Sequence, residues 1–181
     1  MPIYIKQILT GISTNRLSNT IGSLINCNLK YITFGMDSSS GGVVATMRHD
    51  DLSRKLTYSN DAFNVTHAHS GPITDIQYST FSQSVVATCG FDSQIQLWTV
   101  RDEDASSPVK LEPLTSLQLG ENRSDCVLWN PNVANVLASS SLNTIYLWDV
   151  QNGASHVSGK INFFLCPCIV PRMYLNLDYL S

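Results

Sequence analysis

A chain of 181 residues with 43% hydrophobic and only 14% charged residues has the length of one globular domain and too much apolar content for bulk disorder. Its net charge of −3, from 14 acidic and 11 scattered basic residues, argues against a nucleic-acid partner, which needs clustered Lys and Arg to displace counterions.

At the start, Met1-Pro2-Ile3-Tyr4-Ile5-Lys6 breaks its apolar run with a lysine, so no signal peptide with its stretch of about 7–15 apolar residues is read there. Residues 1–23 carry no pattern that assigns a structure. Tyr31-Ile32-Thr33-Phe34 and Val43-Val44-Ala45 read as strands, and the small residues Ser38-Ser39-Ser40-Gly41-Gly42 between them form a hairpin turn rather than a phosphate loop, because no helix follows. Three short strand-like runs come next, Ile73 to Tyr78, Ser84 to Thr88 and Gln94 to Val100. The same order recurs in Asp125 to Trp129, Asn135 to Ser139 and Thr144 to Val150.

The closing tryptophans Trp98 and Trp148 lie 50 residues apart, against about 40–45 for a propeller-blade repeat. The excess is assigned to a polar loop, Arg101 to Pro113, inserted after the third strand. Within it Arg101 to Asp104 is expected to be solvated, with a partner contact as the alternative.

After Gly153 no further repeat begins, and Phe163 to Pro171 shows neither strand alternation nor a Trp-Asp ending. Ile161 to Val170 is much shorter than the ~20 residues of a membrane-spanning helix. Gly159-Lys160 can be encoded with a splice-donor-like GTAAG or GTAAA, so residues 153–181 read either as intron sequence carried into the chain or as a divergent natural C-terminus. The five cysteines, Cys27, Cys89, Cys126, Cys166 and Cys168, are odd in number and three sit singly in apolar runs, which favours a reducing, cytoplasmic setting.

Four patterns invite a chemical reading. His69, Thr88 and Asp92 share residue types with a hydroxyl, imidazole and carboxylate triad. His67-Ala68-His69 places two imidazoles on one strand face, half of a metal site without a third ligand nearby. Cys166-Pro167-Cys168 has one intervening residue where zinc sites have two to four. Gly153 and Gly159-Lys160 are followed by Ile161, so both the spacing and the magnesium-binding hydroxyl of a phosphate loop are missing. None of these sustains a catalytic, metal or cofactor site.

The repeats resemble the WD-repeat family of β-propellers. Trp148-Asp149 matches its strand-ending motif fully and Trp98-Thr99 in part, while His69-Ser70-Gly71 stands where the family's histidine is expected. The resemblance implies that His69, Thr88, Asp92 and Trp98 form the structural hydrogen-bond tetrad of the first full repeat. The second repeat departs from it, with Glu121 near the expected histidine, and Leu142 near the expected turn aspartate with Asn143 beside it; it is expected to lean on apolar packing.

The opening run Tyr31 to Ala45, the segment His69-Ser70-Gly71-Pro72-Ile73-Thr74-Asp75-Ile76, the proline-bearing insert, and Trp129-Asn130-Pro131-Asn132 sharpen the resemblance to coronin-like. It covers about residues 24–155. The expected fold is all-β, an incomplete WD-repeat propeller of two to three four-stranded antiparallel blades with an irregular C-terminal tail. The expected division is 1–23, a partial first blade at 24–67, a WD repeat at 68–119, a degenerate repeat at 120–152, and the tail at 153–181.

Resemblance to coronins implies a cytoplasmic, non-enzymatic binder of actin filaments that organises the cytoskeleton; the alternative is a WD-repeat scaffold for protein complexes without actin. Coronins carry a basic segment at the start of the propeller, whereas Met1 to Leu9 holds only Lys6, so no actin-binding residue is carried over. Two or three blades leave outer sheet faces uncovered, and self-association of the isolated chain is expected.

Overall fold

The computed structural model describes residues 22–36, 39, 41–53, 64–104, 107–120, 123–142, 144–151 and 160–162. The N-terminal run, Glu121, Asn143, Gly153, Gly159, Cys166 and Cys168 lie outside these residues.

Three antiparallel sheets of four strands follow one another along the chain. Blade 1 holds β1 (Ile25–Cys27), β2 (Tyr31–Met36), β3 (Gly42–Arg48) and β4 (Asn64–His69), with a 3-10 turn at Asp50–Ser53 after β3. Blade 2 holds β5 (Ile73–Tyr78), β6 (Val85–Gly90), β7 (Gln94–Arg101) and β8 (Lys110–Gln118). Blade 3 holds β9 (Cys126–Trp129), β10 (Val136–Ser141), β11 (Thr144–Asp149) and β12 (Lys160–Asn162). Each strand pairs with its sequence neighbour within the blade, the local connectivity that short turns impose on antiparallel strands. The expected all-β, incomplete propeller is the observed architecture.

The core lies between the blades. Tyr31, Val44 and Ala68 of blade 1 meet Ile73, Ile76, Tyr78, Val86, Trp98 and Leu111 of blade 2 in one apolar layer. Ala87, Cys89, Ile95, Leu97 and Leu117 from the opposite face of blade 2 meet Val127, Trp129, Leu137 and Trp148 of blade 3 in a second. The period-2 alternation of β7 thus feeds two layers at once, because successive side chains leave opposite faces of a strand. A middle blade is covered on both faces, which is why β6 reads as the unbroken run Val-Val-Ala-Thr-Cys-Gly rather than as apolar and polar in turn.

Two stretches differ from the sequence expectation. The loop predicted over 101–113 shrinks to 102–109, because β7 continues through Arg101 and β8 begins at Lys110. Pro113 pairs with Trp98 at a register shift in that edge strand, a place where a missing N–H is tolerated. Lys160–Asn162 pairs antiparallel with Thr144 to Tyr146 of β11 and supplies the fourth strand of blade 3 from a segment whose composition gave no strand signal.

Candidate functional site

His69 ends β4 of blade 1, Thr88 lies in β6, Asp92 in the β6–β7 turn and Trp98 in β7, so the four residues straddle the boundary between two blades. His69 Nδ1 lies 2.9 and 3.1 Å from the Asp92 oxygens, and His69 Nε2 lies 2.8 Å from Thr88 Oγ1. The same Thr88 oxygen accepts the indole N–H of Trp98 at 2.9 Å.

Indole nitrogen only donates, so with a neutral His69 imidazole the chain closes in one way. Trp98 donates to Thr88, Thr88 to His69 Nε2, and His69 Nδ1–H to Asp92. Burial raises the Asp92 carboxyl, but His69 and the backbone N–H groups of Ser70 and Gln94 outweigh it and hold it below its ordinary value. Thr88 is wholly buried, so its hydroxyl has no approach path for an acyl substrate.

Strand pairing defines equivalent positions in the three blades. Tyr78, Val86 and Trp98 are register partners across blade 2, as are Cys27, Ile32 and Met47 in blade 1 and Trp129, Leu137 and Trp148 in blade 3. Ser139 therefore stands where Thr88 stands, and its hydroxyl accepts the Trp148 indole N–H at 2.8 Å. Blade 3 keeps this polar half of the arrangement as well as its apolar packing. Blade 1 replaces both ends with Phe34 and Met47, both buried, an apolar pair in place of the hydrogen bond. Asp149, beside Trp148, accepts the backbone N–H of Gln151 at 3.0 Å and closes the end of β11.

A second device, which the sequence reading did not identify, runs along the inner strands. Asn26 Oδ1 accepts Tyr78 N–H at 3.2 Å, and Gln77 Oε1 accepts Trp129 N–H at 2.7 Å. Both bonds pass from one blade to the next at equivalent positions. Between them sits Asp75, 6% exposed, whose carboxylate accepts N–H groups of Ser23 at 2.7 Å, Ile76 at 2.9 Å and Val127 at 2.9 Å. One carboxylate therefore joins three blades. Its access to Ser23 depends on Gly22, because a Cβ there would stand 2.4 Å from Asp75 Cβ. The sequence signal was present in an aspartate inside an apolar strand, and in the 51-residue spacing of Asn26 and Gln77.

The loop between β7 and β8 is also bound. Arg48, 8% exposed, donates through Nε to Asp102 Oδ1 at 2.9 Å and through its other nitrogens to Asp102 and to the carbonyls of Asp104 and Ser107. Lys30 and Tyr31 reach the second Asp102 oxygen at 2.7 and 2.8 Å. Arg48 first, then Lys30, holds the Asp102 carboxyl well below the usual carboxylate range. The expectation of a solvated Arg101 to Asp104 is therefore corrected at Asp102, which latches blade 2 to blade 1; Arg101 itself forms an exposed pair with Glu112 at 2.7 Å.

His67, exposed on β4, lines a shallow cleft of about 420 Å³ with His69, Ser70, Asp92 and Gln94. Among the described residues no group of three His, Cys, Asp or Glu is placed to hold a metal ion. No described helix is long and apolar enough to cross a membrane.

The WD domain, G-beta repeat model matches residues 62–99, the span that contains all four residues of the hydrogen-bond chain. The chain is 32% identical over 152 residues to coronin-like protein crn1 of Schizosaccharomyces pombe, covering 81% of this chain and 25% of that protein. It is 36% identical over 121 residues to human coronin-7, covering 66% of this chain and 12% of that protein. It thus spans a quarter or less of these curated relatives. In three dimensions it resembles the WD40 domain of Toxoplasma gondii coronin, with a TM-score of 0.74 at 23% identity, covering 87% of this chain and 39% of that one.

Proposed function

We propose that this chain, a coronin-like WD-repeat propeller segment by sequence and fold, acts without catalysis as a protein-interaction module that binds actin filaments and organises the cytoskeleton. The observation that carries the reading is the closed hydrogen-bond chain His69, Thr88, Asp92 and Trp98. Its hydroxyl is wholly buried and each of its groups has a partner within the chain, so it holds two blades together and leaves loops and blade edges for recognition. The resemblance to coronins implies the specific partner class, and a cytoplasmic, cytoskeleton-associated location goes with it.

Self-association belongs to the same reading. Ile25 and Leu29 at the leading face of blade 1 are 60% and 83% exposed, and Leu128 and Val133 of blade 3 are also open. Exposed apolar side chains favour burial against another surface.

Co-sedimentation with purified actin filaments tests the proposal. The 181-residue chain is expected in the pellet with filaments, and as a dimer or larger species in a velocity run without them. A chain that stays in the supernatant beside pelleted filaments is a scaffold of the alternative kind, without actin.

A further inference from the structure

Where blade 2 meets blade 3, Arg123 lies over Phe91, and the Asp125 carboxylate that holds Arg123 also holds the backbone of Leu142. The guanidinium of Arg123 lies 5.0 Å from the ring centroid of Phe91, which stands in the β6–β7 turn. Arg123 Nε donates to Asp125 Oδ1 at 2.8 Å, and the other Asp125 oxygen accepts the backbone N–H of Leu142 at 2.9 Å. The Ser141 hydroxyl donates to the Arg123 carbonyl at 2.7 Å, and Ser124 N–H donates to the Gly90 carbonyl at 3.1 Å. Backbone and buried carboxylate thus fix all three positions.

The side chains themselves remain open. Phe91 is 40% and Leu142 63% exposed, and the Arg123 side chain is 39% exposed. Its Nε is held by Asp125 and its face lies over Phe91, so the Nη edge is what it can offer a carboxylate in the two-pronged geometry that guanidinium favours.

Leu142 supplies the second, independent observation. It sits at φ +52° in the two-residue turn between the paired residues Ser141 and Thr144, where Gly, Asn or Asp is the comfortable choice. A leucine in that conformation is strained, and its exposure means that packing within the chain does not offset the strain. Strain kept at an exposed apolar side chain points to use of that side chain.

We infer that Phe91, Arg123 and Leu142 form a docking surface for a protein partner that presents an aspartate or glutamate beside an aliphatic or aromatic side chain. Arg123 takes the carboxylate, and Phe91 and Leu142 cover the neighbouring apolar group and exclude water from the ion pair, as arginine and aromatic anchors do at the centres of interfaces. A polyanionic surface is disfavoured, because the site offers a single cation on a chain of net charge −3. This inference rests on the interaction-module reading and gives it a place and a partner chemistry.

A phage-displayed library of random dodecapeptides, panned against the full 181-residue chain, tests it. Enriched peptides are expected to carry Asp or Glu within two positions of Leu, Ile or Phe, and to lose at least tenfold in affinity with Arg123→Gln and with Leu142→Gly. Glycine suits the turn conformation, so Leu142→Gly is expected to melt no lower than the parent, which separates lost binding from lost fold. Arg101→Gln, at an exposed pair elsewhere, is expected to leave binding unchanged. Enriched peptides without acidic residues, or held equally by both variants, overturn the surface while leaving a module with another site. Absence of any enriched peptide overturns it too, and filaments left without bound chain in the co-sedimentation would then count against the module reading as a whole.

Discussion

Trp98→Ala is expected to lower the stability of the chain by about 3–5 kcal/mol, the range for removing a large aromatic side chain from a packed core. Trp98 is buried in the layer between blades 1 and 2, and its indole also anchors the chain of hydrogen bonds through Thr88 to His69. The substitution opens a cavity and removes one of the two partners of the buried Thr88 hydroxyl at once. Trp98→Phe separates the two contributions, since it keeps most of the apolar volume and loses only the N–H, a hydrogen bond of about 0.5–1.5 kcal/mol. Urea unfolding followed by far-UV circular dichroism reads both. A Trp98→Ala midpoint within error of the parent would show that the layer between the blades does not hold the fold together.

Asp75→Ala is expected to cost about 1–3 kcal/mol, the range for a buried donor left without an acceptor. The buried Val127 N–H loses its acceptor, whereas the Ile76 N–H keeps the Ser23 carbonyl at 3.0 Å and the N–H of exposed Ser23 turns to water. The same residue gives the stability a distinctive pH dependence. Burial pushes the Asp75 carboxyl up to about 6, against the opposing pull of the N–H groups of Val127, Ser23 and Ile76.

With the folded value above the ordinary 3.8, the folded chain binds more protons than the unfolded one between these values, so this contribution is full below about pH 4 and is lost as pH rises through about 6. The shift of about two units corresponds to about 3 kcal/mol at 1.36 kcal/mol per unit. Asp92 and Asp102, held below their ordinary values, act in the opposite sense, and their contributions are lost below about pH 4. Subtracting the stability curve of Asp75→Asn from that of the parent isolates the window from pH 4 to 6. A difference that stays flat across that window would contradict the assignment.

Much of the architecture is legible in residue order. Val-Val-Ala-Thr, the alternation of Gln94 to Val100, and their recurrence through Trp148 fix antiparallel strands and a blade period, because strand side chains alternate and short turns allow only neighbour pairing. The four residues His69, Thr88, Asp92 and Trp98 were also legible as a set, and the structure places them within hydrogen-bond reach of one another.

What residue order did not reveal lies between blades. Asp102 looked like one of several acids in a polar insert, and only the fold brings Arg48 of blade 1 to it across 54 positions. Asp75 stands out as an aspartate inside a buried strand, but its three N–H partners all belong to backbone, which carries no sequence signal. The first residues of the outer strand β8 were read as loop because Glu112-Pro113 interrupts the pattern, and an edge strand tolerates what a central strand does not.

The claim on which the rest depends is that His69, Thr88, Asp92 and Trp98 hold blade to blade and perform no chemistry. Thermal unfolding of His69→Ala beside the parent at pH 7 tests it most directly. The substitution removes the bonds to Asp92 and Thr88, and a loss of about 2–3 kcal/mol for a buried network of this kind lowers Tm by about 5–10 °C for a chain of this size. A His69→Ala chain that unfolds at the parent's temperature, with its blades still docked, would contradict the account.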